Sequence, residues 1–178
     1  MTSEDNIQKI ETLANEVATR EGVQIYDVEF ASSHGSRVLR IYIEKEGGVG
    51  IDDCTNVSRG LNLLLDTEDP VPGGNYNLEV SSPGIERPLK KQWHFEKAIG
   101  QKIWLRTNRS FEDLGAQGAK YQIAKQVSER LVGADSDGIR LQLEGEDLLI
   151  PYAAIEQAQV LHEFEVGKNI KKEIKKKK

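Results

Sequence analysis

Over the first twenty positions the apolar residues fall at Ile7, Ile10, Leu13, Ala14, Val17 and Ala18, the i, i+3, i+7 spacing that lays one buried stripe along a helix. Ser3 stands where an N-cap belongs, Glu4 and Asp5 bring negative charge to the positive end of the helix dipole, and Gly22 stops the run. The period then changes to 2. Tyr26, Val28 and Phe30 alternate with Asp27 and Glu29, and Leu39, Ile41 and Ile43 alternate again beyond His34-Gly35-Ser36, which predicts a β-hairpin. After the loop Gly47-Gly48-Val49-Gly50, Asp52 or Asp53 can cap a second helix whose inward face is Cys54, Val57, Leu61, Leu64 and Leu65. The Pro/Gly-rich stretch from Asp69 to Gly74 ends it, and Tyr76, Leu78 and Val80 share one side of a third strand. Residues 1–82 thus read as an α-β-β-α-β domain.

Pro83 and Pro88 bracket a stiff connector, residues 83–91, in which Pro83-Gly84 suits the centre of a type II turn. Gln92 to Ile99 reads as a short helix, and Lys102 to Arg106 as a strand with Ile103 and Leu105 inward. Short strands follow at Val127–Val132, Ile139–Leu143, Leu148–Ile150 and Ile155–Leu161, separated by turns rich in Asp and Gly. That pattern predicts a small β-barrel over residues 92–165. Asn108 to Gln126 has little periodicity and is expected as an extended loop. The whole is an α+β chain in two domains, ending in a lysine-rich, disordered tail, residues 166–178.

Charge separates these parts. Residues 1–89 hold 7 basic and 16 acidic side chains, net -9; residues 90–167 hold 10 and 12, net -2; Lys168 to Lys178 carries seven Lys and one Glu, net +6. An acidic surface attracts basic partners and repels phosphate, while the tail does the opposite. One cysteine among 178 residues excludes an internal disulfide and a thiolate metal cluster and suits the reducing cytoplasm. No apolar run reaches the roughly 20 residues that span a bilayer, and Met1 to Asn6 is acidic, so neither a membrane span nor a secretory signal is expected.

Catalytic chemistry finds little footing. His34, His94 and His162 are dispersed without i+3 or i+4 pairing, so no metal site is expected. Cys54 sits on the inward spacing of its helix, and Ser81 and Ser82 precede Pro-Gly in place of a nucleophile elbow. The reading is a binding protein, without cofactor and without enzymatic activity. Gly47 to Gly50 spells the G-x-x-G of KH domains, and α-β-β-α-β is near that topology, but Asp52 and Asp53 follow it and no basic residue lies within it. A second nucleic-acid signal is Lys90, Lys91, Lys97, Lys102, Arg106 and Arg109, six cations against Glu96 alone in residues 90–109. For a basic protein partner the acids Asp27, Glu29, Asp52, Asp53 and Glu79 are candidates, with Ser82, Pro83, Gly84, Glu86 and Arg87 of the connector. Arg87 has the planar fork that grips carboxylate or phosphate in two-point fashion.

From Tyr76 to Leu89 the chain reads Y-N-L-E-V-S-S-P-G-I-E-R-P-L, and this stretch resembles the bacterial ribosome maturation factor RimP family. Further matches are Asp27-Val28-Glu29-Phe30, Leu39 to Ile43, Leu131-Val132-Gly133 and Ile150 to Ile155, so that residues 4–165 are nearly covered. The resemblance implies a cytoplasmic assembly factor that binds the free small (30S) ribosomal subunit. It also implies an Sm-like, SH3-type barrel as second domain, and as partner the twelfth ribosomal protein of that subunit, which is basic, with rRNA nearby. The alternative is a stand-alone Sm-like or KH-like RNA-binding regulator.

Overall fold

The computed structural model describes Ser3 to His162, apart from His34 and Pro72; the expected lysine tail and the histidine of the hairpin turn lie outside the described residues. Helix α1, Ser3–Glu21, buries Ile10, Ala14, Val17 and Ala18, and helix α2, Ile51–Glu68, buries Val57, Leu61 and Leu65. These are the inward positions that the helical period selects. Strands β1, Gln24–Ser33, and β2, Ser36–Glu44, pair antiparallel as the expected hairpin. Strand β3, Asn77–Ser81, lies parallel to β2 on its other side, giving the order β1-β2-β3. A parallel neighbour requires a crossover, and α2 supplies it. Leu39, Ile41 and Ile43 of β2, the central strand, are buried in the same core as both helices.

Two local devices complete this unit. Where Asp52 or Asp53 was expected to cap α2, Gly50 is the N-cap residue and Asp53, three positions on, accepts its backbone N–H at 2.9 Å. That is the backward-reaching half of a capping box. Gly60 faces α1 so closely that a Cβ added there would lie 2.8 Å from Val17 Cγ1. Here glycine sets the helix spacing.

The chain divides into two units, Met1–Gly84 and Ile85–Lys178. The second contains a short helix α3, Gln92–Lys97, and five strands: β4, Lys102–Thr107; β5, Gln126–Ala134; β6, Ile139–Leu143; β7, Glu146–Ile150; and β8, Ile155–Val160. All neighbours are antiparallel in one sheet of order β7-β6-β5-β4-β8. Ile103, Leu105, Leu131, Ile139, Leu141 and Ile150 build its core with Phe95 of α3. The connector is divided in its attachment: Pro88 bridges Gln159, Leu89 donates to the Ala158 carbonyl at 2.8 Å, and Val160 donates to that of Arg87 at 3.0 Å. A run with two prolines still has backbone groups to satisfy, and the open edge of β8 satisfies them.

The segment expected as an extended loop, Asn108 to Gln126, is folded. Phe111 and Tyr121 are buried with their rings 6.3 Å apart, and Phe111 N–H to Ala124 O (2.9 Å) and Glu112 N–H to Tyr121 O (3.0 Å) close it on itself. Ser110 Oγ donates to Asp113 Oδ2 at 2.6 Å. Two aromatic anchors separated by irregular backbone leave no period to read, which is why the segment looked unstructured.

Candidate partner-binding surfaces

On the three-stranded sheet the register places Glu29 opposite Arg40, and Arg40 opposite Glu79. The result is a row of charges across β1, β2 and β3. Arg40 Nε lies 2.8 Å from Glu79 Oε2, Arg40 Nη1 lies 3.5 Å from Glu29 Oε1, and Tyr42 donates to the same Glu29 oxygen at 3.2 Å. Arg40 is held above the usual guanidinium range, chiefly by the Glu79 hydrogen bond. Two of the acids chosen for a basic partner are thus already engaged by one cation, which strand pairing alone brings to them.

Asp27 departs further from expectation. It alternates onto the face opposite Ile41 and Ile43, yet it is only 5% exposed. Alternation fixes which side of a strand a residue points to, not whether that side is open, and a register shift between Ile25 and Asp27 adds an irregularity no pattern announces. Asp52 is exposed at the start of α2. Asp53 is tied to Lys45 Nζ at 2.7 Å, and that ammonium, with the Gly50 N–H, holds its carboxyl below the usual range.

In the connector, Gly84 takes the positive φ of 79° that the turn requires. Its N–H goes to Ser82 Oγ at 3.3 Å, so a side chain closes the bend. Glu86 is exposed and Pro83 half-buried. Arg87 lines a cleft of the second unit together with Gln101, Lys102, Arg130 and His162. It keeps company there with Lys102, Arg130 and His162.

The six cations chosen for RNA lie on α3 and the residues before it, on β4 and just beyond it. Lys102 and Arg106 alternate with buried Ile103 and Leu105 on β4 and share their face with Trp104. Arg130, which the sequence pattern did not single out, stands opposite Lys102 across β5, with its guanidinium donating to the Gly100 carbonyl. Arg106 Nε lies 3.0 Å from Glu156 Oε2, an ion pair without an aligned hydrogen bond. Lys97 Nζ sits 4.8 Å from the Trp93 ring centroid, a cation–π contact. Lys90 and Lys91 precede α3, and their backbone N–H groups donate to His94 Nδ1 at 3.1 and 3.3 Å. Arg109 is exposed beyond the end of β4.

Those two N–H donors make His94 a buried capping group whose Nδ1 is an acceptor. Cys54 is half-buried, and burial, with the Asp53 charge beside it, pushes its thiol up, away from the thiolate that a nucleophile needs. No helix among the described residues is long and apolar enough to cross a membrane.

The N-terminal architecture and the Ser82–Glu86 bend fall within one comparison with known proteins. Residues 13–86 match the family model described as RimP N-terminal domain. That span runs from the middle of α1 through the hairpin, α2 and β3 into the connector. The first unit of this chain is therefore a RimP N-terminal domain, the domain of a ribosome maturation factor family.

Proposed function

We propose that the protein is a ribosome assembly factor that binds the free small (30S) subunit in the cytoplasm and assists its maturation. Its contacts in this reading are the basic twelfth protein of that subunit and adjacent rRNA. The observation that carries the reading is the family match over residues 13–86.

The distribution of charge supports a division of labour. The first unit, with Asp52 exposed and the Glu29-Arg40-Glu79 row on its sheet, suits a cationic protein. The face of β4 with Lys102, Trp104 and Arg106, and the cleft holding Arg87 and Arg130, suit a phosphate backbone with bases to stack. The order β7-β6-β5-β4-β8, with first strand beside last, is compatible with an Sm-like, SH3-type barrel. That same basic face favours, as second reading, a stand-alone RNA-binding regulator.

Sedimentation through sucrose with free small subunits, large subunits and assembled ribosomes tests the proposal. Recovery with free small subunits alone is expected. Equal recovery in all three fractions would defeat it, and tight binding of a defined RNA without any ribosomal protein would favour the regulator.

A further inference from the structure

Strand register sets Trp104 on the outer face of the five-stranded sheet, turned away from buried Ile103 and Leu105. It stands between Ser128 of β5 and Gln159 of β8, and cross-strand partners share a face. Two positions before it Lys102 lies opposite Arg130, and two positions after it Arg106 lies between Gln126 and Gln157. Two residues of a strand span about 7 Å, so one half-buried indole has a cation on either side of it along β4. Arg106 is already answered by Glu156 at 3.0 Å. At the other end Lys102, Arg130 and Arg87 line a cleft of about 370 Å³, and no acid is among the described residues that line it.

Trp104 also lines a second cleft within the same unit, of about 560 Å³, together with Gln157, Gln159, Tyr152 and Phe95, a volume in the range of ligand sites. The Phe95 and Tyr152 rings lie 5.6 Å apart and make its apolar wall. The Tyr152 hydroxyl is shielded from solvent and has no hydrogen-bond partner among the described residues. A buried hydroxyl in that state is costly unless a ligand or water completes it. Burial, with the charges of Glu96 and Asp135, raises it above its usual range, so it stays a donor well beyond neutral pH. An indole face, two amides that donate and accept, and a phenol lacking an acceptor suit a planar heterocycle edged with carbonyls and ring nitrogens.

We infer that this cleft takes one unpaired nucleobase of a single-stranded RNA, stacked on Trp104, with Gln157 and Gln159 at its edge and an adjoining phosphate on Lys102 and Arg130. A nucleotide within a strand has a phosphate on each side of its base, and cations flank Trp104 on both sides. A duplex keeps its bases stacked within, so an aromatic wall inside a cleft favours a single strand. The cations beside Trp104 disfavour a basic polypeptide there. Taking RNA as the source of the base rests on the proposed assembly role; the fit of the cleft to a planar heterocycle does not.

The test is titration of the full-length protein into fluorescein-labelled hepta-uridylate and hepta-adenylate, followed by fluorescence anisotropy over a range of salt. An abasic ribose-phosphate strand of the same length is the comparison. Wild type should bind at least one base-bearing strand roughly tenfold more tightly than the abasic strand. Trp104→Leu should remove that advantage and leave the slope of log affinity against log salt unchanged. Lys102→Ala with Arg130→Ala should do the reverse, reducing the slope for every strand and keeping the advantage. Gln157→Ala with Gln159→Ala should shrink the advantage without touching the sheet core, which keeps the test open should Trp104→Leu fail to fold. Tyr152→Phe should shrink it severalfold without lowering the thermal midpoint, since its hydroxyl has no partner to lose. Trp93→Phe should change none of these quantities. No binding by wild type, or equal affinity for the abasic strand, would overturn the base site. So would the full advantage surviving in the Trp104 and Gln157/Gln159 variants, and loss of the basic ribosomal protein by those same variants would then assign the cleft to a polypeptide. Sedimentation separates this proposal from the assembly reading: wild type failing to bind small subunits defeats that reading whatever the strands do, and base-independent binding by a sedimenting wild type defeats only the cleft.

Discussion

Gly138 begins the approach to β6 at a point where the chain has no room for a side chain. Its φ is 155°, and a Cβ added there would lie 2.3 Å from the Ile150 carbonyl oxygen, 2.9 Å from its carbon and 2.9 Å from Pro151 Cα. All three atoms are backbone, held by the Ile139–Ile150 pairing and by Asp135 N–H donating to Gly138 O at 3.0 Å. A carbon–oxygen contact is normally about 3.3 Å or more, so Gly138→Ala has to push β7 and the turn apart by roughly 1 Å. Overpacking of that kind costs about 1–3 kcal/mol and the unfavourable φ adds about 1 kcal/mol, for a loss of about 2–4 kcal/mol. Gly145 is the control: its φ is 93°, but nothing lies within 4 Å of an added Cβ, so Gly145→Ala meets strain alone, about 1 kcal/mol. Both tryptophans, Trp93 and Trp104, belong to the second unit, and urea unfolding followed by tryptophan fluorescence reports on it. With an m-value of about 1.5 kcal/mol/M the midpoint should fall by roughly 1.3–2.7 M for Gly138→Ala and by less than about 1 M for Gly145→Ala. Equal midpoints for the two variants would refute the close-approach argument.

Gly60→Ala should destabilise the first unit despite the gain of about 1 kcal/mol in helix propensity, because the new methyl meets Val17 at 2.8 Å; adding Val17→Ala should recover part of the loss, and a thermal scan in the far ultraviolet reads both. Arg40→Leu leaves Glu29 and Glu79, on either side of β2, without their shared cation, so the variant should be less stable than wild type at pH 7, by about 1 kcal/mol or less, with a lower midpoint in the same thermal scan. Asp53, Asp113 and Asp135 are all held below the usual carboxylate range, Asp53 chiefly by Lys45, Asp113 by the Ser110 hydroxyl and Asp135 by the Asp137 N–H. A carboxyl depressed in the folded state contributes stability present above its unfolded pKa of about 3.9 and lost as pH falls through the folded value; Asp113→Asn should therefore weaken the acid dependence of the second unit below about pH 4, measured by urea midpoints at pH 2.5 to 6.

What the sequence determined by itself is what depends on period and on short-range geometry. The stripe from Ile10 to Ala18, the alternation of Leu39, Ile41 and Ile43, and that of Ile103 and Leu105 name their own elements and inward faces, because a helix or strand repeats its environment every 3.6 or 2 residues. The stretch from Tyr76 to Leu89 carried the family resemblance for the same reason, as residues adjacent in sequence whose chemistry needs no fold to be read. The surfaces were less legible. Asp27 and Glu29 alternate outward as expected, but burial of one and capture of the other by Arg40 follow from strand register, which pairs residues 11 positions apart. The anchors Phe111 and Tyr121 find each other across an irregular segment, Arg130 comes to Lys102 only through the pairing of β4 with β5, and Lys9 meets Glu68 only because α1 packs on α2. Tertiary structure decided these points because each depends on which distant residues share a location, and a one-dimensional period carries no information about that.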